Sequence, residues 1–254
     1  KLKLNSKILG TGKPLIIAHG LFGMLDNWQT IGKQLAEFYN VHLIDLRNHG
    51  RSFHSHDFNY KLMAADLRNY IKEEKLKDVI IIGHSMGGKV AMQLAVESPD
   101  LISNLIIVDI APKSYPVHHD YIIKGLESLD FSIIKSRAEA DNQLSYSINE
   151  IGVRQFLLKS LYWKKNDELA LRFNLKSISK NIKKIGVPLE KGMLYLGDAI
   201  FIKGANSNYI LDDDIDNILT HFPRATIKEI PNSGHWVHAE QPKIFLNVIL
   251  NFLN

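Results

Sequence analysis

Short runs of apolar residues alternate along the chain with longer segments in which apolar residues recur every three or four positions. The runs Leu15–Ala18, Val79–Ile82 and 101–110 are typical of strands buried on both faces of a parallel sheet. The periodic segments 27–39 and 59–75 are typical of amphipathic helices. Strands separated by helices predict βαβ units, and therefore an α/β protein whose mostly parallel sheet is flanked by helices.

The pattern changes in the middle of the chain, where strand-like runs disappear. Segments 121–144 and 153–163 have helical spacing and many polar positions. The alternation of strands and helices then resumes. We therefore predict a core domain of residues 1–112 and 186–254, interrupted by a helical cap of residues 113–185.

Composition narrows the class of protein. The 254 residues are 45% hydrophobic, enough for one large domain or two smaller ones. A net charge of +4 from scattered Lys and Arg does not indicate a nucleic-acid partner, and the absence of Cys excludes thiolate chemistry. Residues 1–10 alternate like an edge strand or a hairpin and do not resemble a signal peptide. No apolar run approaches the roughly 20 residues of a membrane span, so we expect a soluble, cytoplasmic protein without membrane insertion.

The segment "GHSMG", Gly83–Gly87, is the first candidate for chemistry because it joins a predicted buried strand to a predicted helix. Gly-x-Ser-x-Gly at such a junction is typical of a nucleophile elbow, which exposes the serine above the carboxyl ends of the strands. The N-terminus of the following helix favours negative charge at that point. We therefore predict that Ser85 is a nucleophile; glycines that merely permit a tight turn are the alternative.

A serine hydroxyl needs a general base. His235 lies between the last predicted strand and the last helix, where Ser233 and Gly234 allow a tight turn that presents the imidazole. His238 is the rival, but a cap or surface contact on the final helix explains it better. We predict His235 as the base.

Acyl transfer also needs hydrogen-bond donors for the oxyanion. One is expected to be the backbone N–H of Met86, which follows the nucleophile. The other is expected from the loop after the strand Leu15–Ala18, where the N–H of Leu21 is the candidate. His19 is expected to brace this loop by hydrogen bonding.

Several segments together resemble the α/β-hydrolase superfamily, and more closely a bacterial subgroup of esterases and acyl-thioesterases. They are His19–Gly23 with Asn27–Trp28, Asp45–Ser52, Gly83–Lys89, Asp109–Pro112 and Gly234–Glu240. The resemblance covers nearly the whole chain. It implies an α/β-hydrolase fold with an eight-stranded sheet and a helical cap, and a histidine that follows the acid in chain order. It further implies hydrolysis of small-molecule esters or acyl-CoA-type thioesters with no cofactor, and it leaves a homodimer open.

The acidic residue that should act with Ser85 and His235 departs from the commonest superfamily pattern. That pattern places this residue just after the strand that follows the cap. That loop here reads Ala205–Asn208 and has no carboxylate. Asp198 precedes the strand, and Asp212–Asp214 are typical of the acidic first turn of a helix. Asp109 ends the strand after the elbow helix, which is where the resembling subgroup takes its acid. We predict Asp109 as the third member of the triad.

Other patterns are weaker. The clusters His54–Asp57 and His118–Asp120 lack the ligand spacing of metal sites, so we predict no metal. "GTGKP", Gly10–Pro14, lacks the spacing of a phosphate-binding loop.

Two other functions stay open. One is a lyase or carbon–carbon hydrolase that uses the same triad and binds a carboxylate through Lys89, Arg154 or Arg172. The other is a non-catalytic binding protein of the same fold. Apolar cap residues either pack on each other or line an acyl-chain site; they are Ile122, Leu126, Phe156, Leu157, Leu161, Tyr162 and Trp163.

Overall fold

The computed structural model describes residues 2–116, 119–165 and 168–254. Its strands are β1 (Ser6–Leu9), β2 (Pro14–Ala18), β3 (Asn40–Ile44), β4 (Val79–His84), β5 (Ile102–Val108), β6 (Leu161–Lys165), β7 (Glu168–Leu171), β8 (Asp198–Gly204) and β9 (Ala225–Ile230). Its α-helices are α1 (Gln29–Leu35), α2 (Tyr60–Glu73), α3 (Met86–Glu97), α4 (Asp120–Glu127), α5 (Arg137–Ser145), α6 (Ile151–Leu158), α7 (Leu175–Asn181), α8 (Ile215–His221), α9 (Val237–Glu240) and α10 (Pro242–Leu253).

The main sheet has seven strands in the order β1-β3-β2-β4-β5-β8-β9, so the expected count of eight is wrong for the described chain. Only β1 is antiparallel to its neighbour; the other adjacent strands run parallel. The N-terminal segment forms an edge strand rather than a hairpin. Just before this strand, the Asn5 N–H donates to Ser52 Oγ (2.8 Å) and Asn5 O accepts from Asp45 N–H (3.0 Å).

Alternate residues of the central strands pack against helices on opposite faces of the sheet. In β4, Ile80 and Ile82 belong to the core that includes residues of α1 and α10, whereas Val79 and Ile81 belong to the core with α2 and α3. All four side chains are at most 1% exposed. Burial on both faces explains why this strand reads as an uninterrupted apolar run.

The described part of residues 113–185 contains α4 to α7 and also a two-stranded antiparallel sheet of β6 and β7. The expectation that strands disappear here is therefore wrong, and the helix expected over 153–163 ends at Leu158. The Ser160 hydroxyl donates to Leu157 O (2.7 Å) at the end of the helix. Tyr162 lies in β6 and stacks under the Arg172 guanidinium, 4.1 Å from its ring centre. Apolar residues 161–163 continue the helical spacing, but aromatic residues also favour strands.

The domain boundaries at residues 112 and 185 stay predictions. Across the described ranges, no helix is both long enough and apolar enough to cross a membrane.

Truncation of a central strand residue tests the packing of this core. Leu105 in β5 is fully buried, so Leu105→Ala should lower the free energy of unfolding by about 2–5 kcal/mol through lost burial and a residual cavity. Leu196 is 61% exposed, and Leu196→Ala should change it by less than about 0.5 kcal/mol. Urea unfolding measures both values; equal losses would contradict the assigned core.

Candidate active site

Five loops that follow strands meet at the carboxyl edge of the sheet. Leu21 follows β2, Ser85 follows β4, Asp109 follows β5, Ser207 follows β8 and His235 follows β9. Ligand sites of open α/β sheets lie at this edge. The sheet therefore brings together the four segments that carry the predicted chemistry, and it adds the loop after β8.

The turn from β4 into α3 has the strained backbone expected of a nucleophile elbow. Ser85 has φ +52° and ψ −118°, a conformation that non-glycine residues rarely adopt. A side chain at Gly83 would overlap the backbone of Gly87, and a side chain at Gly87 would overlap Ala18 O. Both glycines are thus required for the close approach of α3 to the sheet, which leaves the Ser85 side chain at the apex.

His235 and Asp109 lie in direct contact, although they are 126 positions apart in the chain. His235 Nδ1 is 2.7 Å from Asp109 Oδ2, which fixes Nδ1 as the protonated nitrogen of a neutral ring and leaves Nε2 as the acceptor. Asp109 is fully buried, and its carboxylate also accepts from Gly204 N–H (3.1 Å) and from the Ser207 hydroxyl. These hydrogen bonds replace the ones to water that the carboxylate loses on burial.

Ser85 and His235 line the same cleft. In the described structure they share it without a hydrogen bond between Ser85 Oγ and His235 Nε2. Such bonds are often long before substrate binds. The arrangement thus places a hydroxyl, an imidazole and a buried carboxylate in the order that nucleophilic catalysis requires.

The two predicted oxyanion donors border this position. Met86 is the first residue of α3, so its N–H has no partner within the helix. Leu21 and Met86 both line a second cavity that also includes Ser85. The loop around Leu21 is fixed by the Gly23 N–H, which donates to Gly20 O (3.0 Å), and by the Phe22 N–H, which donates to His49 Nε2 (3.1 Å).

His19 braces this loop, as predicted. Its Nδ1–H donates to Gly20 O (2.8 Å) and its Nε2 accepts from Leu46 N–H (3.0 Å), which is the bonding of a neutral ring. Burial lowers the pKa of His19 to about 4. Burial, together with repulsion from His19, lowers the pKa of His49 to about 3. Both rings are therefore neutral structural elements.

His238 does not make the surface contact that the sequence suggested. It is 6% exposed, and its ring stacks on Trp28 with 3.8 Å between centroids. Burial, with repulsion from His235, lowers its pKa to about 3. His84 lies between these groups, and its Nε2–H donates to His235 O (2.8 Å). Burial lowers the pKa of His84 well below its ordinary value, so this contact holds the His235 backbone without adding charge.

The loop Asp45–Ser52 has a structural role. The Asp45 carboxylate accepts from Leu25 N–H (2.7 Å) and Arg51 N–H (2.9 Å), and Arg47 forms a two-pronged ion pair with Asp66. Within residues 2–116, 119–165 and 168–254, no group of three or more His, Cys, Asp or Glu side chains is placed to hold a metal ion. His118, part of the second histidine cluster, lies outside the described residues.

Sequence reasoning missed two residues beside the triad. Ser207 donates to Asp109, and the Tyr209 ring stacks on His235 with 3.8 Å between centroids. The loop that lacks the expected carboxylate thus binds the carboxylate supplied by Asp109. The sequence signal available for Ser207 was its hydroxyl, one position after Asn206 in the loop where an acid is commonly found. Asn206 itself contributes its N–H to Ser233 O (2.9 Å).

The candidate residues of the cap divide into two groups. Ile122, Phe156 and Leu157 line the cleft, whereas Leu126, Leu161, Tyr162 and Trp163 are not among its lining residues. Packing explains Leu126 and Leu161, and Tyr162 contacts Arg172, whereas Trp163 is 53% exposed.

Comparison with known proteins identifies the family. Residues 13–126 match the α/β-hydrolase-fold family. A putative esterase/lipase of Haemophilus influenzae is 42% identical over 241 residues, which are 94% of this chain and 83% of that protein. The chain belongs to the esterase/lipase family of α/β hydrolases. This membership confirms the predicted superfamily and its fold, a mostly parallel sheet flanked by helices with a helical insertion.

Two further comparisons extend over similar lengths. The sn-1-specific diacylglycerol lipase ABHD11 of Danio rerio is 40% identical over 253 residues, or 96% of this chain and 79% of that protein. A solved structure of an esterase from a marine microorganism is 43% identical with a TM-score of 0.96, and the match covers 99% of this chain and 100% of that chain.

The buried histidines predict a loss of stability in acid. Their folded pKa values, about 4 for His19 and about 3 for His49 and His238, lie below the value of about 6.5 for an exposed ring. The unfolded chain therefore binds protons that the folded chain does not. The stability from each neutral ring is complete above about pH 6.5 and is lost as the pH falls toward the folded pKa, by about 2 kcal/mol per ring at pH 5.

Urea unfolding at pH 7.5 and pH 5 measures this loss. His238→Phe keeps an aromatic ring on Trp28 and removes one titrating group, so it should lessen the dependence on pH. The exposed His56 provides the control, and His56→Gln should leave the dependence as in the unsubstituted protein. An unfolding free energy that does not change with pH would refute the assignment of neutral buried rings.

Proposed function

We propose that this chain hydrolyses carboxyl esters through an acyl-enzyme formed on Ser85, with His235 as general base and Asp109 as its charged partner. The observation that carries the proposal is the 2.7 Å contact between His235 Nδ1 and Asp109 Oδ2, beside a cleft that the strained Ser85 also lines. Membership of the esterase/lipase family supports it.

Each residue has one role in the reaction. Ser85 Oγ attacks the ester carbonyl carbon and its proton passes to His235 Nε2, while the Nδ1–H bond to Asp109 stabilises the imidazolium. The carbonyl oxygen becomes an oxyanion that accepts from the N–H groups of Leu21 and Met86. The bond to the alcohol oxygen then breaks, and that oxygen takes the proton from His235. Water repeats the sequence on the acyl-enzyme and releases the acid.

The cleft favours neutral, apolar substrates. Among its described lining residues none is Lys or Arg, and its walls include Ile122, Val153, Phe156 and Leu157. A cleft of this kind has little to bind the phosphates of coenzyme A, so the acyl-CoA thioesters implied by the resemblance stay a prediction. The Danio rerio relative is named for action on diacylglycerol, an apolar neutral ester, which agrees with this preference. The cytoplasmic location and a homodimer also stay predictions.

The rival functions lack comparable support. A lyase that binds a carboxylate would need its cations in the cleft, but Arg154 donates to Asp141 (2.7 Å) and Arg172 stacks on Tyr162. Lys89 donates to two backbone carbonyl oxygens below the elbow. A non-catalytic binding protein would have no reason to keep Ser85 in a strained conformation beside a bonded His–Asp pair.

Removal of the nucleophile tests the proposal. Ser85→Ala should reduce p-nitrophenyl butyrate hydrolysis to below about one part in a thousand of the unsubstituted rate, because triad removals typically cost more than this. The far-ultraviolet circular dichroism should be unchanged. A fluorophosphonate probe should label the unsubstituted protein at Ser85 and should fail to label the variant. Labelling that persists in Ser85→Ala would show that another residue is the nucleophile.

Removal of the charge at the acid tests the third member. Asp109→Asn should lower kcat by about 10³ to 10⁴, since the amide stabilises neither the tautomer nor the imidazolium. Asn206→Ala is the matched control in the neighbouring loop and should cost less than about tenfold, because only the backbone N–H of Asn206 is used. The loss of kcat in Ser207→Ala should lie between these two losses, because the substitution removes one hydrogen-bond donor to the Asp109 carboxylate. Near-normal activity of Asp109→Asn with loss in Asn206→Ala would overturn the assignment of the acid.

A further inference from the structure

Two cavities meet at Ser85, and they are walled by different parts of the chain. The narrow cavity, the smaller of the two, is formed mainly by residues beside the two ends of the insertion and by α2 and the elbow. Its distinguishing lining residues are Tyr60, Met86, Tyr115, Ile182, Ile185 and Gly186. The wide cavity is the cleft already described, which is formed by α4, α6 and the His235 loop. Its distinguishing lining residues are Tyr121, Ile122, Val153, Phe156, His235 and Trp236.

The chemistry at Ser85 gives these cavities different occupants. The carbonyl carbon of an ester carries three groups: the oxygen that faces the oxyanion donors, the leaving alcohol and the acyl chain. His235 must protonate the alcohol oxygen as the bond to carbon breaks, so the alcohol lies on the side of His235. His235 lines the wide cavity and not the narrow one, whereas Met86 lines the narrow cavity and not the wide one.

We propose that the acyl chain of the substrate occupies the narrow cavity and that its alcohol occupies the wide cavity. This assignment rests on the proposed function, because it takes Ser85 and His235 as the reacting groups. It assigns Phe156 and Leu157 of the cap to the alcohol, whereas the sequence left them either to packing or to an acyl-chain site. It also defines the substrate class: esters of an apolar acyl chain of limited length with a bulkier, apolar alcohol.

The narrow cavity suits an unsubstituted hydrocarbon chain. Two of the three tyrosines that line it, Tyr60 and Tyr115, already use their hydroxyls, since Tyr60 donates to Ile185 O (2.6 Å) and Tyr115 donates to Tyr209 O (2.5 Å). The remaining walls include Ile182 and Ile185, each 9% exposed. The cavity therefore offers apolar surface and no unsatisfied hydroxyl at these two positions, which favours a methylene chain over a polar group.

One wall of the narrow cavity is held in place by backbone hydrogen bonds. The Tyr115 N–H donates to Gly186 O (2.8 Å), so the two ends of the insertion are joined at this point. The Lys89 ammonium reinforces the junction, because it donates to Lys113 O (2.5 Å) and Val187 O (2.6 Å) on its two sides. Tyr115 and Gly186 both line the cavity, so this joined backbone forms part of its wall, and we expect it to limit the length of the acyl chain.

The wide cavity has room and aromatic surface for the alcohol. The rings of Phe156 and Trp236 lie 5.3 Å apart, next to Ile122 and Val153. Its walls are α4, α6 and the His235 loop, whereas the narrow cavity is lined by residues beside the two ends of the insertion. The two specificities are therefore carried by separate residues and can be changed one at a time.

Two series of esters separate the assignments. The acyl series is p-nitrophenyl acetate, butyrate, hexanoate and octanoate, with one leaving group. The alcohol series is methyl, benzyl and naphthylmethyl butyrate, with one acyl chain. The variants are Ile182→Phe, which fills the narrow cavity, and Val153→Phe, which fills the wide cavity. Ile151→Phe is the matched control, because Ile151 lies on the same helix as Val153 but is 60% exposed.

Ile182→Phe should lower kcat/KM for the octanoate relative to the acetate by at least about tenfold, and should leave the ratios within the alcohol series as in the control. Val153→Phe should lower kcat/KM for naphthylmethyl butyrate relative to methyl butyrate by a similar factor, with the acyl series as in the control. The opposite pattern, or one variant that changes both series equally, would overturn the assignment.

Alanine at the same two positions provides a pair that adds no volume to the core. Ile182→Ala should extend the longest acyl chain that is hydrolysed efficiently, and Val153→Ala should favour the largest alcohol. A small fluorophosphonate probe distinguishes failure of the proposed function from failure of the cavity assignment. If unsubstituted protein is not labelled at Ser85, the proposed function fails. If every variant is labelled but the two series do not separate, the assignment of the cavities fails and the proposed function stands.

Discussion

The position of Ser85 depends on a close contact between the N-terminus of α3 and the backbone that follows β2. Gly87 lies against Ala18 O, and Gly83 lies against Gly87, so no side chain fits at either glycine. The strained φ of Ser85 costs on the order of 1–3 kcal/mol, which burial of the surrounding strands and of α3 offsets. The turn at Ser85 also fixes the start of the loop that follows β5. The Ser85 N–H donates to Val108 O (3.0 Å), and Val108 immediately precedes Asp109.

Charge at the site is concentrated in one buried carboxylate. Asp109 is surrounded by three donors: the N–H of Gly204 at the end of β8, the hydroxyl of Ser207 in the loop that follows β8, and the ring of His235. The neighbouring rings of His19 and His84 are kept neutral by burial, which lowers their pKa values. They therefore contribute hydrogen bonds to the loops without competing for the negative charge. His235 is consequently the imidazole that is bonded to Asp109 and also lines the cleft.

The features that depend on short segments of the chain could be predicted from the sequence. Uninterrupted apolar runs predicted the buried strands, and a Gly-x-Ser-x-Gly junction predicted the strained turn at Ser85. The contact of His235 with Asp109 followed from placing both at the carboxyl edge of one sheet. The strands β6 and β7 were missed because residues 161–163 continue the spacing of α6, and periodicity does not report where a helix ends. Ser207 and Tyr209 were missed because their roles arise only from packing against residues distant in sequence.

The division of the site into two cavities also lies beyond sequence, because it depends on how the ends of the insertion join and on how α4 and α6 lie over the sheet. The whole account rests on Ser85 as the group that carries the acyl chain. Acid quenching during turnover of p-nitrophenyl butyrate, followed by proteolysis and mass spectrometry, tests this most directly. We expect a butyryl group on the peptide that contains Ser85 and on that serine itself. An acyl group on another residue, or turnover without any acylated peptide, would contradict the account.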